Sequence, residues 1–496
     1  MRLTHFFAII SAAFMAAVSG SLIADEPVSD ENSCYVDGLS DRLRCGYITV
    51  AENPQKPNGR RIQIHFVVIP AIKNIYPDQA FLAISGGPGQ SAIDQAPVFE
   101  RAFGKVRQQR DILLIDQRGT GRSNILECNE DEIISPLEFA YEEIASADEI
   151  QACLDSMDAD VSQYGSETAL ADFEAVRRHL GYTTLHVYGV SYGSRMAQLY
   201  MRHFPEVLAT VTLDGVVPMQ QSVLAVGLAV DRGLELLIRD CEGTPACHSQ
   251  FLQLRDRFAQ LDSRLAEGPI RTEVFHPMTG ERTPFVLTRD KFLGALRMSM
   301  YAQNIRQLLP LAIDQAAVKN YQPLLGLFSL TMEGIGLAMG MHNSVVCGED
   351  IHRLSDTMLQ QMADSYISSL LVDSMSAACD QWPIESVGEA FSAPIVSALP
   401  TLLLSGALDP ATPPDWADMA MVDMTNAVHL VATDATHGVA MQSCAGDLIA
   451  DLVEQSSWQN LDSSCLEEGA RGGFYLNASS VEAATETSSV QQEPQP

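Results

Sequence analysis

Basic residues are scarce in this chain. Lysine and arginine number 31 against 63 aspartates and glutamates over 496 residues, for a formal charge of −32. A surface of that sign repels phosphate backbones, which argues against nucleic acid as a partner. There is no CxxC pair and no HxxxH pair, so the spacings that hold zinc are missing, and neither a metal nor another cofactor is expected. After the first residues no apolar run approaches the about 20 residues that a membrane span needs. There is no internal repeat. Hydrophobic residues at 46% and charged residues at 19% are those of a folded body.

The chain begins with a separate unit, residues 1–24. Arg2 supplies a positive start, Phe6–Val18 is uncharged and apolar, and Ser19, Gly20 and Ser21 are small. This order predicts a secretory signal peptide, cut between about residues 19 and 25. The ten cysteines agree with a secreted or periplasmic protein. An even count in an exported chain reads as disulfides. They fall in consecutive couples, which predicts 34–45, 128–153, 241–247, 347–379 and 444–465.

Residues 25–219 read as the first part of an α/β core. Arg61–Ile69 alternates apolar and polar residues, as a half-buried edge strand would. Phe81–Ser85, Ile112–Asp116, Leu185–Gly189 and Val211–Asp214 are short apolar runs, as in buried parallel strands. Between them, Glu167–Leu180 has helical spacing and stops at Gly181, and Ser194–Phe204 stops at Pro205. Residues 220–395 are helix-like and interrupt this alternation. The sheet resumes in 396–478 with Thr401–Gly406 and Val428–Thr433. Residues 479–496 are Ser, Thr, Glu, Gln and Pro-rich and predict a disordered acidic tail. The expected fold class is α/β: a mostly parallel central sheet, helices on both faces, and a large helical cap insertion.

Gly189-Val190-Ser191-Tyr192-Gly193 matches G-x-S-x-G between a strand and a helix. That is the context of a nucleophile elbow, where a tight turn exposes the serine at the end of the sheet. Ser191 is the candidate nucleophile. Gly86-Gly87-Pro88-Gly89 leaves an earlier strand end, where backbone N–H groups could meet a developing oxyanion. The expected donors are the N–H groups of Gly87 and Tyr192. The base should follow the last strand, which selects His437 in Thr436-His437-Gly438. His186, His203 and His429 lie in core elements, whereas His248, His342 and His352 lie in the insertion and are accessory at most. Asp409 and Asp214 both end strands. Asp409 precedes His437 by one strand and is the expected orienting acid, which leaves Asp214 a structural duty in the following turn.

Three stretches together resemble the prolyl iminopeptidase and tripeptidyl aminopeptidase family of α/β-hydrolases. They are Gly86–Gly89, Asp116-Gln117-Arg118-Gly119-Thr120-Gly121-Arg122-Ser123, and Gly189–Gly193. The end of the chain, from Leu404-Ser405-Gly406 through His437 to the couple 444–465, looks like the tripeptidyl aminopeptidase branch. The resemblance covers roughly residues 60–215 and 395–470. One departure is Ser85, where many relatives carry histidine. The resemblance implies the α/β-hydrolase fold and an exported serine aminopeptidase acting on peptides with a free N-terminus. An exopeptidase needs a carboxylate for the substrate's ammonium. Glu333, Glu349 and Asp350 in the insertion are the candidates. The alternative is an esterase using the same triad, since one fold hosts many substrates.

Overall fold

The computed structural model describes residues 32–128, 147–277, 279–332, 336–467 and 472–482. The signal-peptide region, Glu333 and most of the tail lie outside them. Nine strands form the main sheet: β1 (Asn32–Cys34), β2 (Leu43–Ala51), β3 (Arg61–Ile69), β4 (Gln79–Ile84), β5 (Asp111–Ile115), β6 (Thr184–Val190), β7 (Leu208–Asp214), β10 (Thr401–Gly406) and β11 (Ala427–Ala432). Two hairpins, β8 (Ile270–Phe275) with β9 (Arg282–Leu287) and β12 (Tyr475–Asn477) with β13 (Ser480–Val481), stand apart from it. The sheet order is β1-β2-β3-β5-β4-β6-β7-β10-β11.

From β5 to β11 neighbouring strands run parallel, and β1, β2 and β3 are antiparallel additions. The central parallel strands are buried on both faces, hence their unbroken apolar runs. One apolar cluster carries Leu82, Leu113, Val187 and Val211 against the helices Ser166–Leu180 and Tyr192–His203. The opposite face carries Phe81, Ile112, Tyr188 and Leu404 against the helix Ala445–Gln455. Gly181 ends the helix Ser166–Leu180 in the left-handed region, where it and Tyr182 close the last carbonyls.

Two expectations need correction. β3 is not an edge strand, because β2 pairs with it over eight residues. The insertion is mostly helical, as expected, with one hairpin, β8 and β9, within it. Order also runs past residue 479, since Ser480 pairs with Asn477 and the Glu482 amide donates to the Phe474 carbonyl. All five expected cysteine couples are joined, and no described cysteine is free. No helix among the described residues is long and apolar enough to cross a membrane.

The insertion has its own apolar core, including Leu237, Phe258, Phe292, Leu296 and Phe328. One short stretch of it meets the glycine loop that leaves β4. Leu337 bridges Gln90, the Ala338 amide donates to the Gly89 carbonyl at 3.0 Å, and the Gly340 amide donates to the Leu126 carbonyl at 2.8 Å. His342 Nδ1 donates to the Pro88 carbonyl at 3.0 Å. The insertion therefore grips the glycine loop that leaves β4.

Candidate active site

Ser191 sits between the end of β6 and the helix Tyr192–His203, with φ 57° and ψ −127°. A non-glycine residue in that region is strained and is held there only by its surroundings. Two glycines permit the turn. A Cβ on Gly189 would lie 2.2 Å from the Gly193 carbonyl oxygen, and one on Gly193 would lie 2.4 Å from the Ile84 carbonyl oxygen. The Ser191 amide donates to the Asp214 carbonyl at 2.9 Å. Ser194 Oγ donates to the Ser191 carbonyl at 2.6 Å and accepts from the Val217 amide at 2.8 Å. The elbow is thus tied to both β7 and the turn after it.

His437 lies in the loop after β11, and Asp409 in the turn after β10. His437 Nδ1 donates to Asp409 Oδ2 at 2.9 Å. Asp409 also accepts from the Ala411 amide (2.7 Å), the Thr412 amide (3.0 Å) and Thr412 Oγ1 (2.8 Å). Burial alone would disfavour both charges. The pair reverses this: His437 holds the Asp409 pKa below the usual carboxylate value, and Asp409 lifts His437 above the usual imidazole value. With Nδ1–H fixed on the carboxylate, Nε2 is the nitrogen left to accept a proton. The Tyr301 ring packs edge-on against His437, with centroids 5.0 Å apart.

Asp214 has the structural duty expected of it, on a larger scale. Its buried carboxylate accepts from the Val439 and Ala440 amides and the Tyr188 hydroxyl, each at 2.8 Å. It pins the loop that bears His437 to the strand beside Ser191. A Cβ on Gly215, the next residue, would lie 2.9 Å from His437 Cε1, so the imidazole lies close above that strand end.

Gly87, Ser191 and Tyr192 line one cavity of about 290 Å³, roofed by the insertion through Arg297, Tyr301, Leu337 and His342. Gly87 has φ +109°, and a Cβ there would lie 2.6 Å from the Gly89 nitrogen. Asp116 supports this loop by accepting from Ser91 Oγ (2.7 Å) and the Ile93 amide (3.1 Å). Arg118 forms a two-pronged pair with Asp172 at 2.7 and 2.9 Å, which anchors the neighbouring loop.

Glu349 and Asp350, the two acid candidates among the described residues, are not brought to this cavity. Asp350 is wholly buried and paired with Arg195 at 2.8 Å and Arg353 at 2.9 Å, and it also accepts from the Val223 amide. Its charge is already matched, so it is corrected from ammonium anchor to structural ion pair. Glu349 accepts from the Ser166 amide and hydroxyl at 2.6 and 2.7 Å, and it lines a different cavity, beside Trp382. Burial pushes its pKa up to about 7. It too is corrected, to a support behind Tyr192, whose hydroxyl lies 2.6 Å from Ser166 Oγ. Among the described residues lining the Ser191 cavity there is no carboxylate.

Asp350→Asn is accordingly expected to destabilise the fold by about 3–5 kcal/mol, because it strands a buried guanidinium. Urea unfolding checks this. The activity per folded molecule should change far less than the unfolding midpoint.

Sequence reasoning did not find Thr412, Tyr301 or Arg297. Thr412 had a signal, since it stands three residues after Asp409 in an Asp-Pro turn, where side chains cap backbone amides. The other two had none, because residues in or just after a helix far from the motifs show no sign of which cavity they face.

An elbow serine, a carboxylate-held imidazole and a glycine loop at the ends of parallel strands define a serine hydrolase of the α/β-hydrolase fold. Residues 79–276 match the description "alpha/beta hydrolase fold", and residues 364–465 match "TAP-like protein". These two matches, with relatives named tripeptidyl aminopeptidase and proline iminopeptidase, support the α/β-hydrolase family of prolyl iminopeptidases and tripeptidyl aminopeptidases. It is 24% identical to the putative hydrolase YuaR of Escherichia coli, covering 77% of this chain and 80% of that one. It is 24% identical to the serine protease Hip1 of Mycobacterium tuberculosis, covering 82% and 84%. It is 25% identical to the tripeptidyl aminopeptidase of Streptomyces lividans, covering 38% of each. The enzyme is a serine hydrolase by class, and relatives named as peptidases are among those it resembles.

Proposed function

We propose that the chain is an exported serine aminopeptidase that cleaves near a free N-terminus through an acyl-enzyme on Ser191. In this reading His437 takes the Ser191 proton and passes it to the leaving amine. Asp409 holds the imidazole in the right tautomer and favours its charged form, while the Gly87 and Tyr192 N–H groups receive the oxyanion. The observation that carries the exopeptidase reading is the place of the insertion, which lines the Ser191 cavity. Ser191 opens into a small cavity roofed by the insertion, which suits a chain end rather than a continuous strand of substrate. The relatives named as peptidases support it. A signal-like start and five disulfides support export to the periplasm or beyond.

The peptide's ammonium needs a site, and Glu333 is the one of the three acids not excluded by position. The test compares arylamides of short peptides with and without N-acetylation. The free-amine forms should be cleaved far faster. Equal rates would replace this reading with a general acyl hydrolase or esterase on the same triad.

A further inference from the structure

Arg297 stands in the last turn of the helix Arg289–Met300 and lines the Ser191 cavity. Its surroundings are unusual for this chain. With about two acids for every base, arginines readily find carboxylates here: Arg107, Arg118, Arg195, Arg257, Arg289 and Arg306 all do. Arg297 makes no ion pair or hydrogen bond to any described residue, and its Nε is buried without a partner. The side chain as a whole stays partly exposed, but a guanidinium nitrogen shut away with nothing to receive it is costly, and the ordinary remedy is an acid nearby. The described lining of this cavity offers none and is otherwise mostly apolar.

A helix C-terminus favours a cation, which accounts for a base in the last turn. It does not account for a guanidinium that lines the same cavity as the nucleophile. The cation shares the cavity with Ser191, His342 and Tyr301, whose ring packs against His437.

We propose that Arg297 is a specificity-determining residue that receives a carboxylate of the substrate, so that the preferred acyl group or short peptide is acidic. The inference rests on Ser191 as nucleophile and on this cavity as the place the substrate enters. A guanidinium offers a planar fork of N–H donors that matches a carboxylate's two oxygens. In the apolar cavity such a pair is shielded from water and discriminates strongly against a neutral isostere. The carboxylate can come from an acidic side chain or from the free C-terminus of a short peptide.

Three substrate pairs separate these sources. Glutamyl and glutaminyl arylamides test the side chain. Trialanine and its C-terminal amide test the terminal carboxylate. The 1-naphthyl esters of glutaric monoacid and of valeric acid test the carboxylate without any amine. The expected result is that the acid member of at least one pair is preferred in kcat/KM. Arg297→Gln should lower that acid-to-neutral ratio by ~10²-fold, whereas Arg297→Lys should keep part of it. The proposal is overturned if no pair shows a preference for the acid. It is also overturned if Arg297→Gln lowers both members of each pair equally, as a purely structural role would. N-acetylated glutamyl arylamide keeps the two readings apart. If it is cleaved as fast as the free amine, the aminopeptidase reading fails while the carboxylate preference still stands or falls on the ratio.

Discussion

Ser191→Ala is expected to lower turnover by a factor of about 10⁶, with His437→Ala nearly as damaging and the double variant no worse than either. The reason is that nucleophile and base act as one unit. Without the hydroxyl there is nothing for His437 to deprotonate, and without the imidazole the hydroxyl is a weak nucleophile. The fold should survive Ser191→Ala, because the elbow is held by the Ser191 amide and carbonyl rather than by its hydroxyl. Steady-state rates on a free-amine peptide arylamide, with unfolding followed in parallel, measure both. A serine-directed phosphonate should label the parent enzyme and leave Ser191→Ala unlabelled. Retention of more than a few per cent of activity would mean that another group attacks.

Asp409→Asn is expected to cost about 10⁴ in turnover by presenting the wrong imidazole tautomer. It should also shift the pH profile, and the sign follows from the charge. The base must be neutral to work, so activity rises as pH climbs through the His437 pKa. The Asp409 carboxylate holds that pKa above the usual imidazole value, against the opposing effect of burial. Removing the carboxylate's charge leaves burial dominant, so the acid limb of kcat/KM should move to lower pH while the plateau falls. Asp214→Asn is the control. Its carboxylate touches the loop after His437 rather than the imidazole itself, so its damage should come through stability and alignment. If Asp214→Asn were the more harmful at equal folding, or if the acid limb stayed in place in Asp409→Asn, the assignment of the acid would be wrong.

The residues of the proposed triad were legible because each stands on a local signal. Ser191 follows an apolar strand within a glycine pattern, and Asp409 and His437 follow two more such strands. The central parallel strands were legible because burial on both faces writes an unbroken apolar run. β2 was missed because its burial alternates and its Leu-Arg-Cys-Gly-Tyr-Ile-Thr-Val-Ala sequence mixes polar with apolar residues. Glu349 and Asp350 misled for a different reason. Their partners, Ser166 and Arg195, lie more than 150 positions away in the chain, and nothing local shows that an acid has already found its base. Arg297 was hidden for the converse reason, since its lack of a base-pairing acid is visible only once the whole cavity wall is assembled.

The grip of the insertion on the glycine loop makes substrate access and chemical competence one variable. Leu337, Ala338 and His342 hold the same backbone, Gly89 and Pro88, that shapes the loop bearing Gly87. A movement of the roof that widened the entrance would pull on these bonds and disturb the glycine loop beneath, so opening is expected to weaken catalysis. Adventitious acyl compounds that touch Ser191 without letting the roof settle meet an incomplete site. Selectivity of this kind acts on the rate of the chemical step, so a poor substrate would betray itself by slow turnover rather than by weak binding.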